Sequence, residues 1–386
     1  MKKFTIWLSK PTAPFGLAIF RILFGVIMLW DVLRINSIGL IDSFYPRGIV
    51  FPYAINLPLP EQETLKAMLF VLGISAILIT LGIMYRVAMT FFALFFSYFF
   101  FLDQTLYNNH LYLICLISFM MIFMPADAAL SFNKKRHRAT IPQWSYRLLQ
   151  FQLVVVYFFG AVSKMNPYWF DMHPVQELLQ IRAEKSGTSF LSSQGMQYFV
   201  AYGGLLFDLF IGFLLWMRKT RKIAIVAAGL FSLTNAYLFD DIYIFPFFMI
   251  GASILFIDQE WLASKFKNKN TPIKVVKNKA LKETEVTPRV LHSWGTAVIV
   301  IYAVVQLILP LRHFFIPGYT DWTSDAQRFS WRMKIQTREV EEMEFSIWDF
   351  ATKQVYDVNP NEHLYPDEIQ QMANSPHMIV QFAFYL

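Results

Sequence analysis

Nine apolar stretches, at about 16–35, 65–85, 87–102, 110–125, 148–164, 199–217, 223–239, 243–258 and 293–311, constrain this chain more than any other feature. Each approaches the roughly 20 residues that carry a helix across a hydrocarbon core of about 30 Å. Inside lipid an unpaired backbone group finds no water, so such stretches close their hydrogen bonds within themselves. The expected fold is therefore an α-helical polytopic membrane protein with about nine transmembrane helices. Composition agrees, since 56% of the residues are hydrophobic and 16% charged, against roughly 25% charged in soluble domains. Several runs are short, which calls for tilt, re-entrance or burial among neighbours.

The basic residues orient the bundle. With Lys2, Lys3 and Lys10 in the cytoplasm, alternation places Arg86, "KKRHR" at 134–138, "RKTRK" at 218–222 and the Lys-rich stretch 265–289 on the same side. Loops 36–64, 103–109, 165–198 and 240–242 fall on the opposite side and carry few cations, as the positive-inside rule requires. The net charge of +7 is thus an orientation signal, and no nucleic-acid partner is expected. The N-terminus lacks a small-residue cleavage site after a short apolar core, so the first run reads as a retained helix. A single cysteine, Cys115, excludes an intrachain disulfide. Residues 312–386 differ from the rest, with six Lys/Arg and eleven Asp/Glu. Alternation within 328–358 reads as hairpin strands, and "HMIVQFAFYL" at 377–386 as a further strand. The expected division is a transmembrane domain at 1–311 and a small extracytoplasmic β-rich domain at 312–386.

This topology gathers polar groups on one face: Asp103, Asn109 and His110 between two apolar runs, Lys164 at the end of another, the pair Asp240 and Asp241, and the C-terminal domain. Lys164 reads in two ways. It is an interfacial lysine with its stem in lipid, or an amine desolvated in an apolar pocket and thereby a base. His110, with Asn109, is either an interfacial helix start or a donor to a developing anion. Arg21 and Asp208 lie inside spans, where ionisable groups seek partners; a mutual ion pair with a structural role is one expectation. Asn235 reads as interhelical glue or as part of a pocket. No metal-ligand spacing is present.

The stretches "PTAPFGLAIFRILFGVIMLWD", "YRVAMTFFALFFSYFFFLDQTLYNNHLYL", "QWSYRLLQFQLVVVYFFGAVSKMNPYWF", "GGLLFDLFIGFLLW" and "ILPLRHFFIPGYTDWTSDAQRFSW" occur in that order. Together they resemble the vitamin K-dependent γ-glutamyl carboxylase family and its bacterial relatives with the same membrane domain, over most of residues 11–340. "YNNHLYL" and "GAVSKMNPYW" are the specific pieces. The resemblance implies that Lys164 deprotonates a reduced vitamin K, a naphthoquinol. Oxygen addition and rearrangement to an epoxide then supply a strong base, which removes the γ-proton of a glutamyl residue so that carbon dioxide can add. It also implies that His110 stabilises an anionic intermediate. His313, Trp331 and Arg338 match family positions and join Asp103 and Asn235 as pocket candidates. The implied cofactor is reduced vitamin K with O2 and CO2 as co-substrates and no metal; the implied partners are the bilayer and a glutamyl peptide or protein. Such a site must be dry, because the base it generates is stronger than water tolerates.

The sequence also departs from the family. The region after the membrane domain is short, Ser232 replaces a family histidine, and "DAQRF" replaces a tract rich in glycine and tyrosine that is linked to glutamate binding. These departures motivate two other readings. One is a quinol epoxidase or oxygenase without glutamyl carboxylation. The other is a non-catalytic membrane immunity or scaffold protein.

Overall fold

The computed structural model describes residues 2–46, 49–53, 57–239, 242–266, 291–318, 320–333 and 340–386. Asp240, Asp241, most of the Lys-rich stretch and Arg338 lie outside the described residues. Short helix α1 (Lys2–Leu8) and strand β1 (Pro11–Thr12) lead into α2 (Phe15–Ser37), α3 (Gln62–Leu81), α4 (Tyr85–Leu102) and α5 (Asn109–Phe123). Strand β2 (Ile141–Pro142) pairs with β1 and precedes α6 (Trp144–Lys164). Next come α7 (Pro167–Phe170), α8 (His173–Ser186), α9 (Gln194–Trp216), α10 (Arg221–Leu238), α11 (Phe245–Ala252), α12 (Gln259–Lys265) and α13 (Ser293–Ile308). The remainder holds α14 (Thr320–Thr323), the hairpin β3 (Phe345–Asp349) and β4 (Gln354–Val358), α15 (Pro366–Ala373) and α16 (Pro376–Tyr385).

The protein is a helical membrane protein. All nine apolar runs fold as helices, but they differ in reach. Among the described residues six helices are long and apolar enough to span a bilayer, and a seventh span arises if the broken helix at 245–265 counts as one. That helix bends by 96° where Phe256 gives way to α12. The bend has a local cause: Asp258 accepts hydrogen bonds from the Glu260 and Trp261 amides and so starts a new helix. The run at 110–125 forms α5, only 15 residues long, and ten of its side chains are buried.

The C-terminal region is less β-rich than expected. Among the described residues its strands are the five-residue β3 and β4, paired antiparallel from Phe345↔Val358 to Asp349↔Gln354; residues 334–339 of the expected hairpin lie outside them. The expected strand at 377–386 is instead α16. Pro376 fits the first helical turn, where its missing N–H costs nothing. Met378 and Phe382, four residues apart, then bury one face of the helix against Phe51, Leu364 and Met372.

Arg21 is fully buried and does not pair with Asp208, which corrects the expected ion pair. Its guanidinium donates to the carbonyls of Ala126 (3.1 Å), Ile79 (2.5 Å), Thr80 (2.7 Å) and Leu130 (2.6 Å). It thereby caps the carbonyl end of α3, where orphan acceptors and the helix dipole favour a cation.

Candidate functional site

Lys164 is the last residue of α6, and the next five residues fix its position. Ser163 donates its hydroxyl to the Gly160 carbonyl (2.9 Å). Asn166 caps α7: its Oδ1 accepts the Trp169 amide (2.9 Å), and its Nδ2 donates to the Ser163 carbonyl (2.8 Å). Pro167 fills the first turn of α7. Trp169 then donates its indole N–H to the Ala201 carbonyl on α9 (3.1 Å), and the Lys164 ammonium stands 5.2 Å from the centre of its ring. The motif "SKMNPYW" is thus a device that ends one helix, starts another and presents an amine to an aromatic face.

The amine does not reach out to water. Its side chain is 11% exposed and forms an ion pair and hydrogen bond with the Asp208 carboxylate, itself 7% exposed. Asp208 lies about 21 Å along α9 from Gln194 at 1.5 Å per residue, so Lys164 is level with the interior of that helix. To the two expected readings the structure adds a partner: the buried amine is paired with a carboxylate. Close helix packing brings the pair together. A Cβ added at Gly212, one turn after Asp208, would stand 3.0 Å from Val154 Cγ1 and 3.3 Å from Val154 Cα on α6. Glycine there leaves room for the approach, since any Cβ would press on Val154. Removing one partner of such a pair leaves an uncompensated buried charge, at a cost of about 3–5 kcal/mol.

Asn109 and His110 open α5, and both are buried. Tyr107 donates its hydroxyl to Asn109 Oδ1 (3.0 Å) and accepts the Phe329 amide (2.6 Å). Burial pushes the Tyr107 phenol up, so it stays protonated and able to donate. Asn109 Nδ2 donates to the Arg332 carbonyl (2.9 Å). Both ends of the Asn109 amide therefore hold the segment 328–333 against the bundle. The ring of His110 stacks on Phe245 of α11, with centroids 5.7 Å apart. Trp331 is fully buried, 4.9 Å from the Tyr112 ring, and its indole N–H has no hydrogen-bond partner among the described residues.

The same segment reaches Lys164. The Met333 methyl lies 3.3 Å from where a Gly160 Cβ would stand, and Asp208 Oδ2 lies 3.7 Å from that point. Gly160 is one helical turn before Lys164. Contacts therefore run from Asn109 through Arg332 and Met333 to Gly160, Asp208 and Lys164. The two sequence-specific pieces, "YNNH" and "SKMNPYW", are thus linked through the segment 328–333 and Asp208.

The other candidates take separate places. Asp103 is buried and caps the turn at Gln104–Leu106 by accepting the Thr105 amide (2.9 Å). His313 Nδ1 lies 2.9 Å from the Pro310 carbonyl, a contact within its own turn. Asn235 is half-buried on α10. Sequence reasoning missed Gly160, Gly212, Tyr107, Met333 and Arg328. Only the Asn-Pro start of α7 was readable locally; the rest depends on contacts between distant residues.

A cleft of about 590 Å³ opens beside the start of the segment 328–333, lined by Tyr53, Gln104, Tyr107, Arg312, residues 324–329, residues 370–371 and residues 374–377. Its guanidinium groups are engaged. Arg328 bonds to Gln104 and lies over the rings of Tyr53 (5.4 Å) and Tyr107 (5.7 Å). Arg312 bonds to Ser330 Oγ (3.0 Å) and to the Arg328 carbonyl. Ser324, Ala326, Phe329 and Trp331 all adopt positive φ, between 59° and 63°, a conformation that favours glycine and is strained for these residues.

Comparison with known families gives two matches. Residues 9–261 match the HTTM domain, and residues 291–386 match the domain described as "Vitamin K-dependent gamma-carboxylase, lumenal domain". No solved structure gives a significant match.

Proposed function

The chain belongs to the vitamin K-dependent gamma-carboxylase family, whose HTTM and lumenal domains it carries, and on that premise we propose that it is a naphthoquinol-dependent carboxylase and epoxidase. The observation that carries this reading is the chain of contacts joining Asn109 to Lys164 through Arg332 and Met333. A scaffold needs neither an amine buried against a carboxylate nor an amide spent on holding a segment above it.

The residues present suit a flat, largely apolar ring with polar edges. Trp169 neighbours Lys164 and Phe245 neighbours His110, so both proposed functional groups have an aromatic ring beside them, and the Trp331 indole is a buried donor with no partner among the described residues. When bound, a reduced naphthoquinone supplies, with oxygen, a base strong enough to remove a glutamyl γ-proton. The protein's part is to manage protons and exclude water. Lys164 Nζ exchanges a proton at the quinol hydroxyl. His110, buried beside Phe245, donates to developing negative charge. Asn109 and Tyr107 hold the segment 328–333 over the amine, and that segment divides the dry side from the cleft. The acceptor's glutamyl side chain approaches from the cleft. In the corresponding topology the N-terminus and the basic loops are cytoplasmic. The site and residues 312–386 are extracytoplasmic, and 1–311 form the membrane domain.

One observation favours a second reading, epoxidation without carboxylation. Arg328, in the altered "DAQRF" tract, already bonds Gln104 within the cleft. Carbon dioxide incorporation into a glutamyl peptide separates the two readings. The test of the shared chemistry is Lys164→Ala in purified protein: quinol epoxidation is expected to vanish, and undiminished epoxidation would remove Lys164 from its role.

A further inference from the structure

Asp208 is a carboxylate in the apolar helix "GGLLFDLFIGFLLW", and stability does not explain its presence. A buried ion pair is commonly no more stable than a well-packed apolar pair of similar volume, and an acidic residue inside a span carries a cost of its own. Its hydrogen-bond partner is Lys164. The Tyr157 phenol, on the same face of α6, lies close enough to sense its charge, and the segment 328–333 presents the apolar Met333 near Asp208 Oδ2.

An amine bonded to a carboxylate in this way has a specific chemical problem. In the ammonium form Nζ carries three protons and no lone pair, so it cannot accept another. Building on the function proposed above, we propose that Asp208 is the proton store of Lys164: the amine becomes a base by passing one ammonium proton to Asp208 Oδ2. In that transfer one N–H bond breaks, one O–H bond forms, and the charge of the pair stays at zero. The lone pair freed on Nζ then takes the quinol hydroxyl proton as that O–H bond breaks. The pair ends as ammonium and carboxylic acid, with a single positive charge opposite the quinolate. Asp208 also positions the amine, because its carboxylate holds Nζ on the α9 side of the site.

The test has one arm without quinol and one with it. In the first, thermal unfolding of purified protein is compared for Lys164→Met, Asp208→Leu and the double variant. Each single variant is expected to lower the midpoint by several degrees and the double variant to recover most of the loss; additive losses would dissolve the pair. In the second, infrared difference spectra are recorded without oxygen as reduced vitamin K binds. The wild type is expected to gain a carboxylic-acid C=O band that shifts in D2O. Asp208→Glu should move that band and Asp208→Asn should abolish it. Quinol bands without the carboxylic-acid band, or a band that survives Asp208→Asn, would overturn the proton store and leave the proposed function standing. Absence of the quinol's own bands would instead overturn that function, and this proposal with it.

Discussion

Arg21→Met tests the architecture without reference to catalysis. The guanidinium is fully buried and donates to four carbonyls at the end of α3 and in the loop at 126–130. Methionine fills much of the volume but donates nothing. One acceptor keeps a partner, because the Ile79 carbonyl also receives the Gly82 amide (3.1 Å). The rest lose a charged donor, and the Ala126 carbonyl loses it in a buried setting. Individual losses of about 1–3 kcal/mol do not add in full, and an overall loss of roughly 3–5 kcal/mol is expected. At ~2 °C per kcal/mol for a chain of this size, the unfolding midpoint falls by about 6–10 °C. Arg21→Lys should fall between, because a single ammonium cannot span both carbonyl groups. The chain carries its own reporter: Cys115 is the single cysteine and is buried, so a thiol-reactive fluorophore signals unfolding during a thermal ramp. Combining Arg21→Met with Asp208→Leu should give additive losses, within about 0.5 kcal/mol. A midpoint within about 2 °C of wild type, or strong coupling between Arg21 and Asp208, would refute the capping role.

The site carries three further expected outcomes. Gly212→Ala places a methyl against the Val154 backbone, which cannot move aside as a side-chain tip would; a loss of about 1–3 kcal/mol should appear in the same ramp, with epoxidation reduced because α6 and α9 separate. Tyr107→Phe removes the hydroxyl that joins Asn109 to the Phe329 amide; epoxidation assays should show a loss of roughly tenfold, about 1.4 kcal/mol, with a midpoint shift of only a few degrees. Asn166→Ala removes the α7 cap at about 1 kcal/mol and frees Trp169, so its intrinsic fluorescence should change and activity fall.

Much of the fold is readable from the chain. The helices announce themselves because lipid forces long apolar runs to close their own hydrogen bonds. Lys164 is legible because a charge after an apolar run must have a reason. Its partner is not, since Asp208 lies 44 residues away and nothing local says which ionisable groups will meet. Arg21 and Asp208 look like natural partners by charge alone, yet four carbonyls satisfy Arg21 first. The misread strand at 377–386 shows a different limit. "HMIVQFAFYL" is apolar throughout its centre, where strand and helix patterns cannot be told apart; Pro376 and the four-residue spacing of Met378 and Phe382 are the decisive signs. The role of Asn109 also changes. A free amide could assist an anion, but this one is engaged at both ends.

On the function proposed above, Lys164 performs quinol chemistry coupled to carboxylation. The direct measurement is to incubate purified protein with reduced vitamin K, oxygen, labelled bicarbonate and a glutamyl peptide, and to count epoxide and labelled peptide in the same sample. Both products are expected from the wild type and neither from Lys164→Ala. Labelled peptide from Lys164→Ala, or no quinol turnover by the wild type, would contradict that function.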